Sequence, residues 1–235
     1  MVDKNDSLLR EVEEELRHDQ LKKLWETYGT YLVGAVALFI AGVFIYQQIE
    51  SRRIAAADAA GAQFETGRRL VADKEPAEAA AAFAEIAKSG PAGYAALALF
   101  QTAAAQLKDG KTAEAIASFD TIAGAAKADG VLRDFARLQA ASLKLGTADW
   151  TELQNRLTPL TDERNAFRAQ ARELLGLAAQ AAGRGDEARR LYLQVMGDSK
   201  ASQALKDRVS GYLSGIVAAD LAKAPPGSAP EPDKK

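Results

Sequence analysis

Residues 27–49, TYGTYLVGAVALFIAGVFIYQQI, hold 23 positions without a formal charge, closed at either end by Glu26 and Glu50. As a helix such a run extends about 34 Å, against a hydrocarbon core of about 30 Å. A helix in the core of a soluble domain is rarely apolar on every side over that length. The flanks suit a bilayer as well. Trp25, Tyr28 and Tyr31 stand at one edge and Tyr46 at the other, where amphipathic rings settle among headgroups. Lys22, Lys23, Arg52 and Arg53 bracket the run and can snorkel outward. The sequence therefore predicts a transmembrane helix at 27–49. A cleaved signal peptide has an apolar region of only ~7–15 residues behind a short basic leader. Here the run is longer and follows 26 residues with eight Asp/Glu. Ala55–Ala57 would satisfy a small-residue cleavage rule, but an uncleaved anchor is the better expectation.

Arg10, Arg17, Lys22 and Lys23 precede the run, and only Arg52 and Arg53 follow it closely. Cations near a span tend to stay in the cytoplasm, and long domains translocate with little regard to charge. The expected topology has a cytoplasmic N-terminus with the C-terminal part outside, in the periplasm of a bacterium. Within the span, Gly34, Ala37 and Ala41 form a small-residue strip on which another membrane helix can pack.

The remaining residues are enough for a domain with its own core. Residues 1–26 carry five Lys/Arg and eight Asp/Glu, a charge of −3, while residues 51–235 carry 25 and 23, a charge of +2. No strong field draws in nucleic acid. No cysteine is present, which removes disulfide frameworks and thiolate metal sites.

Fifty residues are alanine, and the β-branched alternation of strands is missing after residue 50. A repeat is visible instead. AEAAAAFAEIA (77–87) matches AEAIASFDTIA (113–123) at an offset of 36, and DEARRLYLQVM (186–196) lies 73 residues beyond the second. Twelve positions before the key alanine of each unit is a small residue: Gly67 before Ala79, Ala103 before Ala115, Gly176 before Ala188. Four positions after it is a ring: Phe83, Phe119, Tyr192. Small residues let antiparallel helices touch, and the ring is expected to fill the space between adjacent hairpins. The turns DKEP (73–76), KDGK (108–111) and GRGD (183–186) fall inside the hairpins. Helical hairpins of about 34 residues are the signature of tetratricopeptide repeats.

A degenerate third unit spans 131–160, with Leu157 at the ring position and Pro159 shortening the second helix. An amphipathic helix at about 202–221 carries Leu205, Val209, Leu213, Ile216 and Val217 on one face and reads as the C-terminal cap. The expectation is an all-α chain: a charged leader (1–26), one transmembrane helix (27–49), a solenoid of about four hairpins plus a cap (50–222), and a disordered Pro-rich tail (223–235).

Catalytic groups are scarce. His18 is the one histidine and belongs to the leader, so neither a His/Cys metal site nor a His-based triad can be assembled in the domain. Glu13 and Glu14 are leader charges, and no Gly-rich phosphate loop occurs. The reading is a non-enzyme with no cofactor, metal or small-molecule substrate. Its informative polar feature is basic. Arg133 and Arg137 are four apart on the first helix of unit three. Arg164, Arg168 and Arg172 are spaced by four on that of unit four, forming stripes along helix faces. First helices of such repeats line the concave surface. With Arg68, these arginines are candidates for binding carboxylates of an acidic segment or chain terminus. The alternative is a solvated face paired with Asp134, Glu163 and Glu173.

The leader EVEEELRHDQLKKLWETYGTYL (11–32), the single span and the alanine-rich repeats to about residue 216 together resemble the YfgM-like family. The resemblance implies an ancillary subunit of the SecYEG translocon, anchored in the inner membrane with a periplasmic repeat domain. It implies as partners the channel, the periplasmic folding factor PpiD and emerging secretory chains. A scaffold of another envelope machine, such as cell division or outer-membrane assembly, remains the alternative, as does a periplasmic chaperone released by cleavage.

Overall fold

The computed structural model describes the backbone of residues 3–223 and the side chains of Lys22, residues 25–220 and Ala222. The leader side chains discussed above, Lys23 and the Pro-rich tail beyond Lys223 lie outside the described residues. Among the described residues there are nine α-helices, one 3₁₀ turn and no strand. The helices are α1 (Asp3–Ala72), α2 (Pro76–Ser89), α3 (Ala92–Lys108), α4 (Thr112–Gly124), α5 (Gly130–Lys144), α6 (Trp150–Leu157), α7 (Arg168–Ala181), α8 (Gly185–Gly197) and α9 (Gln203–Lys223).

Contacts divide the chain into two compact units, Met1–Ala56 and Ala57–Lys235. The first consists of α1 up to Ala56. Its apolar run is bare: Tyr31 is 77% exposed, Leu38 75% and Phe39 73%. Among the described residues this is the one helix long and apolar enough to cross a membrane, with a window of mean hydropathy 2.0. Alanine and other strong helix formers around residues 55–63 give the backbone no reason to stop before Ala72.

The second unit begins with the last turns of α1, where Phe64 and Leu70 pack against Phe83 of α2. The hairpins α3/α4, α5/α6 and α7/α8 follow, and α9 packs on the last of them. The core is a chain of four clusters. Phe83 and Ile86 join Ala98, Phe119 and Ile122 join Ala136, Leu153 and Leu157 join Leu175, and Tyr192 and Val195 join Val209. Each cluster spans neighbouring hairpins, so no hairpin buries its apolar face alone. On α9, Leu205, Val209 and Ile216 are buried and Leu213 partly so. Val217, expected on that face, is instead 44% exposed.

Each hairpin turn contains one residue at positive φ: Lys74 (64°), Gly110 (75°), Gly146 (87°) and Gly183 (72°). Their spacing of 36, 36 and 37 traces the repeat through the degenerate third unit, which sequence comparison of the second helices does not. There the turn occupies residues 145–149, where the other three span 73–75, 109–111 and 182–184. Helix α6 has eight residues and gives way to a 3₁₀ turn at Thr158–Leu160, whereas α2, α4 and α8 have 14, 13 and 13. Pro159 lacks the N–H that another turn of α6 would need. Asp149 caps α6, accepting from the Glu152 amide at 2.8 Å.

Candidate functional site

Each repeat-packing residue proposed from sequence lies in the hairpin core. Ala79, Ala103, Ala115 and Ala188 are buried, and Phe83, Phe119 and Tyr192 pack among them. Phe83 and Tyr192 lie against the first helix of their own hairpin and also join the cluster shared with the next element. A Cβ on Gly67 or on Gly176 would strike Phe83 or Tyr192 respectively. In the membrane-length part of α1, Gly34, Ala37 and Ala41 are exposed, with nothing near Gly34. Trp25, Tyr28, Tyr31, Tyr46, Lys22, Arg52 and Arg53 are exposed too, and Arg53 pairs with Glu50 at 3.0 Å.

The arginines do not form the expected stripes. Arg164 precedes α7 and is not on it. It lies in the loop after the 3₁₀ turn, 92% exposed, with its Nε 3.2 Å from Asp162. The Asp162 carboxylate accepts from the Arg164 amide at 2.9 Å, and α7 begins only at Arg168. Arg168 and Arg172 do share a face of α7, but the face is buried. Arg168 donates to Asp198 Oδ1 at 2.5 Å, and Arg172 donates to Glu163 and to the Thr161 carbonyl at 2.9 Å. Asp198, in the loop after α8, reaches both guanidinium groups. A buried carboxylate is costly unless paired, and a buried guanidinium likewise, which is why the two types have been drawn together. Burial works to raise the Asp198 carboxyl, but hydrogen bonds from Arg168 and the Lys200 amide, with Arg172 nearby, hold it below the ordinary range. These two arginines tie α7 to the α8–α9 loop and present no free charge.

The other candidates remain outside. Arg68 is exposed beside Glu65 at 3.1 Å. Arg137 is half-buried against Asp134 at 3.2 Å, and Asp134 also accepts from Asn165 at 2.8 Å. Arg133 makes no ion pair among the described residues, and its Nε has no hydrogen-bond partner. Glu173, expected opposite these arginines, instead takes a two-point contact from Arg208 of α9, at 2.9 Å and 2.9 Å. A bidentate pair from Arg156 to Asp120, at 2.6 Å and 3.2 Å, holds the second and third hairpins together.

Two clefts escaped the sequence reading. One, of about 480 Å³, lies between the first and second hairpins, floored by Ala79, Ala80 and Phe83 and edged by Lys74, Lys108 and Lys111. The other, of about 260 Å³, runs between α6 and α8 beside Trp150, Gln154, Arg190 and Gln194. The Arg184 guanidinium lies 5.3 Å from the Trp150 ring centre, a cation–π distance. Neither cleft leaves a sequence signal, since each exists only where two hairpins meet. Among the described residues no group of three or more His, Cys, Asp or Glu is placed to hold a metal.

The repeated hairpins, the small-residue contacts beneath the rings and the chain of inter-hairpin clusters are the marks of a tetratricopeptide solenoid. The family model described as tetratricopeptide repeat-like domain matches residues 22–214. The chain belongs to that family. No curated protein and no solved structure matches it. Tetratricopeptide repeat-like domains mediate protein–protein interactions and are generally non-catalytic scaffolds. The partners of this chain are therefore other proteins.

Proposed function

We propose that the protein is a single-pass scaffold of the bacterial inner membrane, with a cytoplasmic N-terminus and a periplasmic repeat domain. It serves as an ancillary subunit at the Sec translocon, where the repeats meet folding factors of the PpiD type and emerging secretory chains. The observation that carries this reading is the bare apolar run of α1 between Tyr28 and Ile49, a surface that water does not tolerate and a bilayer does. The four leader cations against Arg52 and Arg53 support the orientation. The resemblance of leader, span and repeats to the YfgM-like family supports the channel as partner. Anchoring acts by concentration: a weak protein-binding surface becomes useful when its clients are delivered beside it.

Photo-crosslinkers placed at Ala41 in the span and at Val131 on α5, in intact cells, test the proposal. Channel subunits are expected from the first position and folding factors or secretory chains from the second. Capture of cell-division or outer-membrane assembly proteins alone would move the scaffold to another machine. Recovery of the chain cut after Ala57, in the soluble fraction, would make it a released chaperone.

A further inference from the structure

Three of the four hairpin turns place glycine at the positive-φ position, and the first places Lys74 there at φ 64°. An L side chain in the left-handed region is strained, and residues held in strained backbone cluster at functional sites. Lys74 edges the 480 Å³ cleft together with Lys108 and Lys111. Two carboxylates, Asp109 and Glu114, line it as well, and Asp109 lies 4.0 Å from Lys111. Lys74 and Lys108 have no anionic partner among the described residues. Ala80 lines the cleft at the position where the next repeat has the larger Ile116, which packs against the cluster around Phe119. Beneath the cations the wall is apolar, and its size is that of a ligand pocket.

We propose that this cleft docks an acidic segment of a partner protein. An apolar side chain of that segment sits against Ala80 and Phe83, and flanking carboxylates reach Lys74 and Lys108. The chain's own tail does not fit the charge: in residues 224–235, Glu231 and Asp233 are balanced by Lys234 and Lys235. The site lies at the turn edge of the first two hairpins, away from the arginines of α5. The proposal rests on the scaffold reading but not on which envelope machine is served, and its failure would leave the crosslinks from Ala41 unchanged.

Full-length protein in detergent micelles, titrated into a fluorescein-labelled peptide EEFSEE and its counterpart KKFSKK, tests it by anisotropy. The acidic peptide is expected to bind more tightly, and less so at high salt. Lys74→Gly relieves the turn, so it should raise the melting temperature while weakening binding about threefold. With Lys108→Ser added the loss should be about tenfold. Ala80→Ile, the residue of the following repeat, should fill the floor and block binding in a folded protein. Equal affinity for the two peptides overturns the proposal. So does affinity unchanged within twofold in both the double variant and Ala80→Ile.

Discussion

The ring of Phe83 occupies the space that a side chain on Gly67 would need, since a Cβ at Gly67 would approach Phe83 Cε1 to 2.9 Å. Gly176 stands in the same relation to Tyr192, more tightly. In both hairpins the glycine opens the first helix, and the ring of the second closes the gap. The repeat signature is a steric contact of this kind.

Gly176→Ala should therefore destabilise the protein. Alanine gains about 1 kcal/mol of helix propensity over glycine, but overpacking a full core costs about 1–3 kcal/mol. Tyr192 is fully buried and cannot swing away. A net loss of up to about 2 kcal/mol is expected in urea unfolding. Gly211→Ala in α9, with open space around the new Cβ, should gain about 0.5–1 kcal/mol. A stabilised Gly176→Ala protein would contradict the contact.

Lys74→Gly should stabilise. Releasing a left-handed side chain is worth about 1–2 kcal/mol, and the added freedom of glycine in the unfolded chain takes back about 0.5–1 kcal/mol. A net gain of about 0.5–1 kcal/mol is expected, and Gly183→Lys should lose a similar amount. Thermal melts of the two variants check the pair together.

Acid should weaken the solenoid in a defined window. The Lys144 hydrogen bond, chiefly, holds the Glu152 carboxyl below its ordinary 4.5, and the arginine pair holds Asp198 below 3.8 in spite of burial. Folded values below unfolded ones mean that the stability from these groups is complete above about pH 4.5. It is lost as the pH falls through the lowered folded values. Melting temperature should stay level from pH 7 to 5 and fall below. Asp198→Asn should cost about 1–3 kcal/mol at pH 7 and flatten the acid limb. An acid limb unchanged in both Asp198→Asn and Glu152→Gln would show that other groups govern it.

Charge reversal separates structural arginines from surface ones. Arg168→Glu places a carboxylate beside Asp198 and Glu163 and should lower the melting temperature sharply. Arg164→Glu, in a solvated loop, should leave it unchanged. Arg133→Glu and Arg137→Glu are the substitutions with which partner binding by the α5 face can be measured in a folded protein. Equal melting temperatures for Arg164→Glu and Arg168→Glu would remove the distinction.

Much of this architecture is legible in residues alone. The uncharged run at 27–49 is a local property, and so is the recurrence of a small residue, an alanine and a ring at fixed distances. The third repeat was harder to read: Leu157 replaces the ring and the turn is two residues longer, so the match along the second helix slips. Gly146 keeps the period, but a lone glycine carries no φ until the backbone is seen. The arginine spacing of four misleads at Arg164, which stands in the loop before α7 begins at Arg168.

Local order thus followed from the chain itself: helix period, hairpin repeat, and a segment too oily for water. Those depend on neighbours three, four or twelve residues away. Tertiary structure alone decided which charges are free. Arg168 is hidden because Asp198, 30 residues further on, folds back to meet it. The cleft beneath Lys74 is lined by Ala80 and Phe83 of one hairpin and by Gln101, Thr102 and Ala105 of the next. Burial and vacancy belong to pairs of hairpins, and no single stretch of sequence contains both members of a pair.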